Sequence, residues 1–276
     1  MKKNILKFCI CICFILCLIP DVSNAQNKKP LNLPLYDNEP YHFGISVGYN
    51  QMLFSIDYID GYQSKIHQAN ELPANDIFHG VNDDFLNSEF IVNDISGQMT
   101  HGITIGVVGN LRLSKYFDLR FIPSGSFGER KLTYNITSIQ EDPVSGEITK
   151  ETPYTINSST HSTFVEFPLH IKYKSKRYNN TAAYIIAGAN YKIDWASQKK
   201  NYDETSGKPK TLSIKRHDIA AEIGAGFDFY TGYCKLGVEL KMGYGLLNVA
   251  KNENYLFTNS FDNLRNKTFL ISFTFE

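Results

Sequence analysis

Past residue 25 the chain holds one cysteine, Cys234, and one tryptophan, Trp195. A lone thiol excludes an intrachain disulfide there. There is no surplus of either charge. Lys plus Arg and Asp plus Glu number 28 each, and 25 and 27 once residues 1–25 are set aside. That balance offers no electrostatic footprint for nucleic acid. No apolar run of 18 residues follows residue 25 either, so helical membrane spans are not expected.

What is present begins with residues 1–25, which read as a secretory signal peptide. Lys2, Lys3 and Lys7 precede an apolar stretch over 8–19, and Ser23-Asn24-Ala25 offers a small-x-small cleavage site. The stretch is too short to span a membrane as a helix. Four cysteines lie inside it. Of these, Cys17 follows Phe14-Ile15-Leu16, which lacks the small residue that lipid attachment requires.

The rest of the chain alternates. Side chains of a strand point to opposite faces in turn, and eight segments keep that period. They are 42–50, 100–113, 116–134, 164–174, 184–195, 218–230, 233–244 and 267–276. In the last, Phe269, Ile271, Phe273 and Phe275 share one parity, while Thr268, Ser272, Thr274 and Glu276 share the other. The third breaks parity near 123–128, which predicts a bulge or bend. Most are about 9–14 residues long, enough for a tilted strand to cross a bilayer.

Short and long connections alternate. Ser114-Lys115, Thr231-Gly232 and residues 175–181 are short; 51–99, 135–163, 196–217 and 245–266 are long. Outer-membrane barrels alternate this way, with short periplasmic turns and long outer loops. The expected fold is all-β, an eight-stranded antiparallel transmembrane β-barrel with long extracellular loops. The expected organisation is a signal peptide over 1–25, a periplasmic N-terminal segment over 26–40 and an outer-membrane barrel over 41–276. Aromatic residues at both predicted rims fit such a barrel, for example Phe43, Phe117, Tyr173 and Phe275 at one and Tyr49, Phe127, Trp195 and Tyr244 at the other. A soluble sandwich or a lipocalin-like barrel shares the alternation, because periodicity does not reveal which face is outside.

If the apolar parity meets lipid, the other parity lines the interior. It carries Arg112, Asp118, Arg120, Arg130, Glu166, His170, Lys172, Lys192, Asp194, Asp218, Glu222, Asp228, Lys235, Glu239 and Lys241. An eight-stranded interior is just filled by side chains. Mixed signs therefore predict an ion-pair network and no substantial channel.

Chemistry is thin. His42, His101, His161, His170 and His217 show no pair at metal-ligand spacing. Glu166 and His170 share one strand's interior parity and form a candidate acid–base pair, with a structural hydrogen bond as the plainer reading. Gly125-Ser126-Phe127-Gly128 and Gly224-Ala225-Gly226 lack the Gly-Lys-Ser/Thr of a phosphate loop and read as bends and close packing. No catalytic, cofactor or metal site is expected. The first long loop is acidic, with Asp57, Asp60, Glu71, Asp76, Asp83, Asp84, Glu89 and Asp94 against Lys65. A solvated loop explains this; a cation at Asp83-Asp84 is the alternative. As the longest connection, over 55–98, it is the candidate contact for partners and exported cargo.

Four stretches carry a resemblance: PYHFGISVGYN at 40–50, LRLSKYFDLRFIP at 111–123, FVEFPLHIKYK at 164–174 and LISFTFE at 270–276. Together they resemble the PorT family, outer-membrane barrels of the type IX secretion system. The resemblance implies an accessory role in moving C-terminally tagged proteins across the outer membrane, with other components of that machinery as partners and outer-membrane lipid around the wall. It transfers no catalytic residue. A structural or adhesive small barrel unconnected with secretion is the alternative.

Overall fold

The computed structural model describes residues 30–68, 89–141, 148–196, 202–203, 208–209, 213–251 and 258–276. The signal-peptide reading and the Asp83-Asp84 pair lie outside the described residues. The strands, in chain order, are β1 (Tyr41–Tyr58), β2 (Ile66–Gln68), β3 (Glu89–Gln98), β4 (Thr100–Arg112), β5 (Phe117–Phe121), β6 (Ser124–Glu141) and β7 (Ile148–Lys174). They continue as β8 (Thr181–Asp194), β9 (Tyr202–Asp203), β10 (Lys208–Pro209), β11 (His217–Tyr230), β12 (Lys235–Gly245) and β13 (Phe261–Phe275).

Eleven strands form one antiparallel sheet in the order β1-β13-β12-β11-β8-β7-β5-β4-β6-β3-β2, and β9 and β10 pair separately. Two further pairings, β1 with β4 and β7 with β6, are superimposed on that order. β1 is thus hydrogen-bonded along both edges. Ile45 sits opposite Phe275 on one side and Val107 on the other. The predicted break in the third segment falls at Ile122-Pro123. It splits that segment into β5 and β6, and both halves pair with β4 and β7.

Burial follows parity, and it is inverted relative to a water-soluble sheet. Phe43, Ile45, Val47 and Tyr49 of β1 are exposed, Phe43 by 76%. So are Ile103, Ile105 and Val107, Leu169 and Ile171, Ile223 and Phe227, and Ile271 and Phe273. The charged parity is buried, with Arg120 and His170 fully inaccessible. Exposing a continuous aromatic and aliphatic wall to water forgoes the main driving force of folding, whereas in hydrocarbon the same wall carries no penalty. Ile103 to Leu113 covers about 33 Å of strand at about 3.3 Å per residue. At a tilt of about 40° that is about 25 Å of height, the usual apolar band.

The long connections differ from expectation. Residues 51–99 are not one loop: β1 runs on to Tyr58 and β3 fills 89–98. Nor is 135–163 a loop, because β6 reaches Glu141 and β7 starts at Ile148, and the two pair as one long ladder. In these extensions the chemistry of the two faces swaps while parity stays. On β1 the inward side chains change from Ser46 and Asn50 to Met52 and Phe54. A cluster of Phe54, Phe90, Val92, Ile95, Leu132, Tyr134, Ile136, Ile156, Ile214, Val249, Phe261 and Leu264 packs here as an ordinary apolar core. The level of the swap marks where the apolar wall stops.

Candidate functional site

The interior is organised in tiers, because inward residues recur every second position along each strand. At the end carrying the short turns, Lys235 Nζ donates to Glu276 at 2.7 Å and Lys174 approaches Asp118 at 3.2 Å. Above them, Arg120 donates to Glu239 at 2.8 Å and reaches Glu276 at 3.4 Å, and Lys172 donates to Asp228 at 2.6 Å. Tyr184 Oη donates to Glu239 at 3.1 Å. A Cβ on Gly226 would lie 2.6 Å from the end of the Tyr184 ring, so this glycine leaves the room the tyrosine uses.

The third tier centres on Glu222. It pairs with His170 Nε2 at 2.8 Å and Lys241 Nζ at 2.9 Å, accepts from Asn190 at 2.7 Å, and has Lys192 at 3.8 Å. In the fourth, Arg130 donates to Asp194 at 2.5 Å, Asn266 at 2.5 Å and Ser162 at 2.7 Å, and its guanidinium lies 4.8 Å over the Phe164 ring. Asn266 also donates to Asp218 at 2.7 Å. Charges withdrawn from water need such partners, since an isolated one is costly.

The candidate acid–base pair is not assembled. Glu166 accepts from Asn190 at 2.9 Å and has Lys192 at 3.5 Å, while His170 goes to Glu222. Among the described residues no hydrogen bond joins Glu166 to His170. Each carboxylate is held by donors in a buried site. Arg112 also departs from expectation. It is only half-buried at the strand end, and its Nε donates to the Ser114 carbonyl at 3.4 Å instead of entering the interior network.

Sequence reasoning missed a feature at the short-turn end. Residues 32–39 fold back against the turns. Asn32 Nδ2 donates to the Tyr230 carbonyl at 3.0 Å, and Arg177 donates to the Asn32 carbonyl and to Asn180 Oδ1. Tyr230 Oη donates to Asp37 at 2.9 Å. The Tyr36 ring stacks on His42 with centroids 3.7 Å apart, and its hydroxyl donates to Glu276 at 3.2 Å. Burial, and next the Glu276 carboxylate, push the Tyr36 phenol well above its ordinary range, so it stays a donor. Tyr36 is thereby tied to Glu276, the last described residue. Leu35-Tyr36-Asp37-Asn38 has no periodicity of its own, and partners distant in sequence, Lys174, Tyr230 and Glu276, help give it a place.

A family model described as outer membrane protein beta-barrel domain matches residues 24–251. The chain belongs to that family, and the protein resides in the cell outer membrane. The exposed apolar wall and buried charges are the physical counterpart of that assignment. No curated protein matches the chain. Solved structures to which the chain is similar include Ail, the attachment invasion locus protein of Yersinia pestis, in complex with the heparin analogue sucrose octasulfate. It is 12% identical, with a TM-score of 0.34, covering 86% of this chain and 98% of that one. The outer membrane protease OmpT of Escherichia coli is 11% identical, with a TM-score of 0.35 and coverage of 86% and 96%. A Pseudomonas aeruginosa FadL homologue is 9% identical at 0.22, covering 86% and 90%. Similarities this distant carry no argument about activity.

Proposed function

We propose that the chain is an accessory component of the type IX secretion system, acting as a scaffold or assembly factor in the outer membrane. It is an eight-stranded barrel in which β5 and β6 share one stave, and it is not an enzyme. Residues 1–25 are a signal peptide, 26–40 a periplasmic segment and 41–276 the barrel domain. The short turns face the periplasm and the long ladders face outward. The observation that carries the scaffold role is the interior: four tiers of paired charges beneath an apolar core leave the wall and the two ends as the surfaces for partners. The secretion role rests on the resemblance of residues 40–50, 111–123, 164–174 and 270–276 to PorT. Other components of the machinery are its partners, with exported cargo meeting the segment over 55–98. Of that segment, 55–58, 66–68 and 89–98 are strand and 69–88 lies outside the described residues.

Deleting the gene is expected to leave C-terminally tagged cargo in the periplasm, read by immunoblotting of cell fractions, and the intact gene in trans should restore export. Normal export in the deletion strain would sink the secretion role. Intact export combined with lost surface attachment would favour an adhesive barrel.

A further inference from the structure

We propose that Lys215, Arg216 and His217, with Trp195 and Tyr191, form a seat for a phosphate group of an outer-leaflet glycolipid of the lipid A type. The location comes first. Tyr191 and Trp195 are among the last exposed ring side chains at the long-strand end of β8, and Ile219 holds that level on β11. The cluster therefore stands where the apolar wall gives way to polar surface, the level of lipid headgroups.

The second observation is charge that meets no carboxylate among the described residues. Interior cations such as Arg120, Arg130, Lys172 and Lys241 each face a carboxylate. Elsewhere at this level Lys131 meets Glu129 at 3.0 Å and Arg265 meets Asp57 at 3.7 Å. Lys215, Arg216 and His217 meet none among the described residues. Lys215 Nζ donates to the Asn248 carbonyl at 3.0 Å. Arg216 lies over the Trp195 ring at 5.5 Å, and its Nε has no hydrogen-bond partner among the described residues. His217 Nδ1 is 2.8 Å from Tyr191 Oη, with the rings stacked at 12°.

An arginine presented on an aromatic face with a lysine beside it suits phosphate, whose oxygens accept the guanidinium fork. The neighbouring surface is apolar: Leu246, whose amide bonds to the Ile219 carbonyl, is 55% exposed, and Leu247 is 42% exposed. Cations above and aliphatic surface beside them match an amphiphile with a phosphorylated head. They match inorganic phosphate less well, since it would leave that apolar surface uncovered.

Native mass spectrometry of the full-length protein in detergent tests this. With purified lipid A, the wild-type protein is expected to retain bound glycolipid. Lys215→Gln/Arg216→Gln should bind about tenfold more weakly, a loss near that of one charge-assisted contact. Lys131→Gln should bind as the wild type does. Dephosphorylated lipid A offered to the unaltered protein should bind as weakly as lipid A binds the double variant, which tests the seat without any substitution. Equal binding of the phosphorylated and dephosphorylated lipid would overturn the proposal, as would unchanged binding by a double variant whose heat-modifiable migration shows it folded. Full displacement of the lipid by inorganic phosphate would reassign the site to a free anion and overturn the lipid.

Discussion

Replacing Glu222 by leucine is expected to cost about 3–5 kcal/mol of stability, because it strands buried charge. Glu222 is nearly inaccessible and is the shared acceptor of His170, Lys241 and Asn190, with Lys192 nearby. Lys192 keeps Glu166 at 3.5 Å. Among the described residues Lys241 is left with no other carboxylate within 4.0 Å. The loss should appear as a lower urea midpoint for the folded, heat-modifiable form in lipid vesicles. Adding Lys241→Met should restore much of the stability, since an ion pair replaced by apolar groups of similar volume is often neutral or better. A single variant as stable as the wild type would show that the tier is solvated and not packed.

The second large effect concerns the wall. Val107→Arg is expected to cost about 2–4 kcal/mol in a bilayer, the range for a lipid-facing arginine near the midplane. Val107 is 57% exposed and faces Ile45 in register, roughly half-way along the apolar stretch of β4. Gln51→Arg, outward on β1 where that stretch ends, should cost about 0–1 kcal/mol. Folding yield into vesicles measures both. In a water-soluble sheet the exposed Val107 and the half-buried Gln51 would both tolerate arginine, so equal effects would contradict a lipid-facing wall.

Much of this was legible in the sequence for one reason. Where a strand separates lipid from a polar interior, its two parities carry opposite chemistry without interruption. The segments read at 100–113, 184–195, 218–230 and 233–244 accordingly sit within three residues of β4, β8, β11 and β12. The extensions beyond the wall were not legible. In β3 a bulge between Val92 and Asp94 shifts the register, so Phe90, Val92 and Ile95 are all buried despite odd spacing. In β7 Pro153 argues against a strand. It is tolerated because β7 pairs only with β6 at that height among the described residues, leaving its N–H side on an edge. Residues 148–163 are also largely polar, so no period announces them.

The interior was legible as composition but not as pairing. Parity placed Glu166 and His170 on one face, yet neighbouring strands decide the partners. Lys192 sits opposite Glu166 across β7 and β8, while Glu222 reaches His170 from β11. A single strand's pattern holds no information about registers set by other strands. The fold-back of residues 32–39 onto Glu276 was invisible for the same reason.

The most direct test is a spin-label scan along β1 in bilayers, with Cys234→Ser as background and single cysteines placed from position 43 to 55. Labels at 43, 45, 47 and 49 are expected to be open to oxygen and closed to a water-soluble nickel chelate. Labels at 53 and 55 should reverse that preference, and those at 46, 50 and 54 should be closed to both. Ready access of the nickel chelate to 43 through 49, or no alternation along the strand, would contradict an apolar wall in lipid around a packed charged interior.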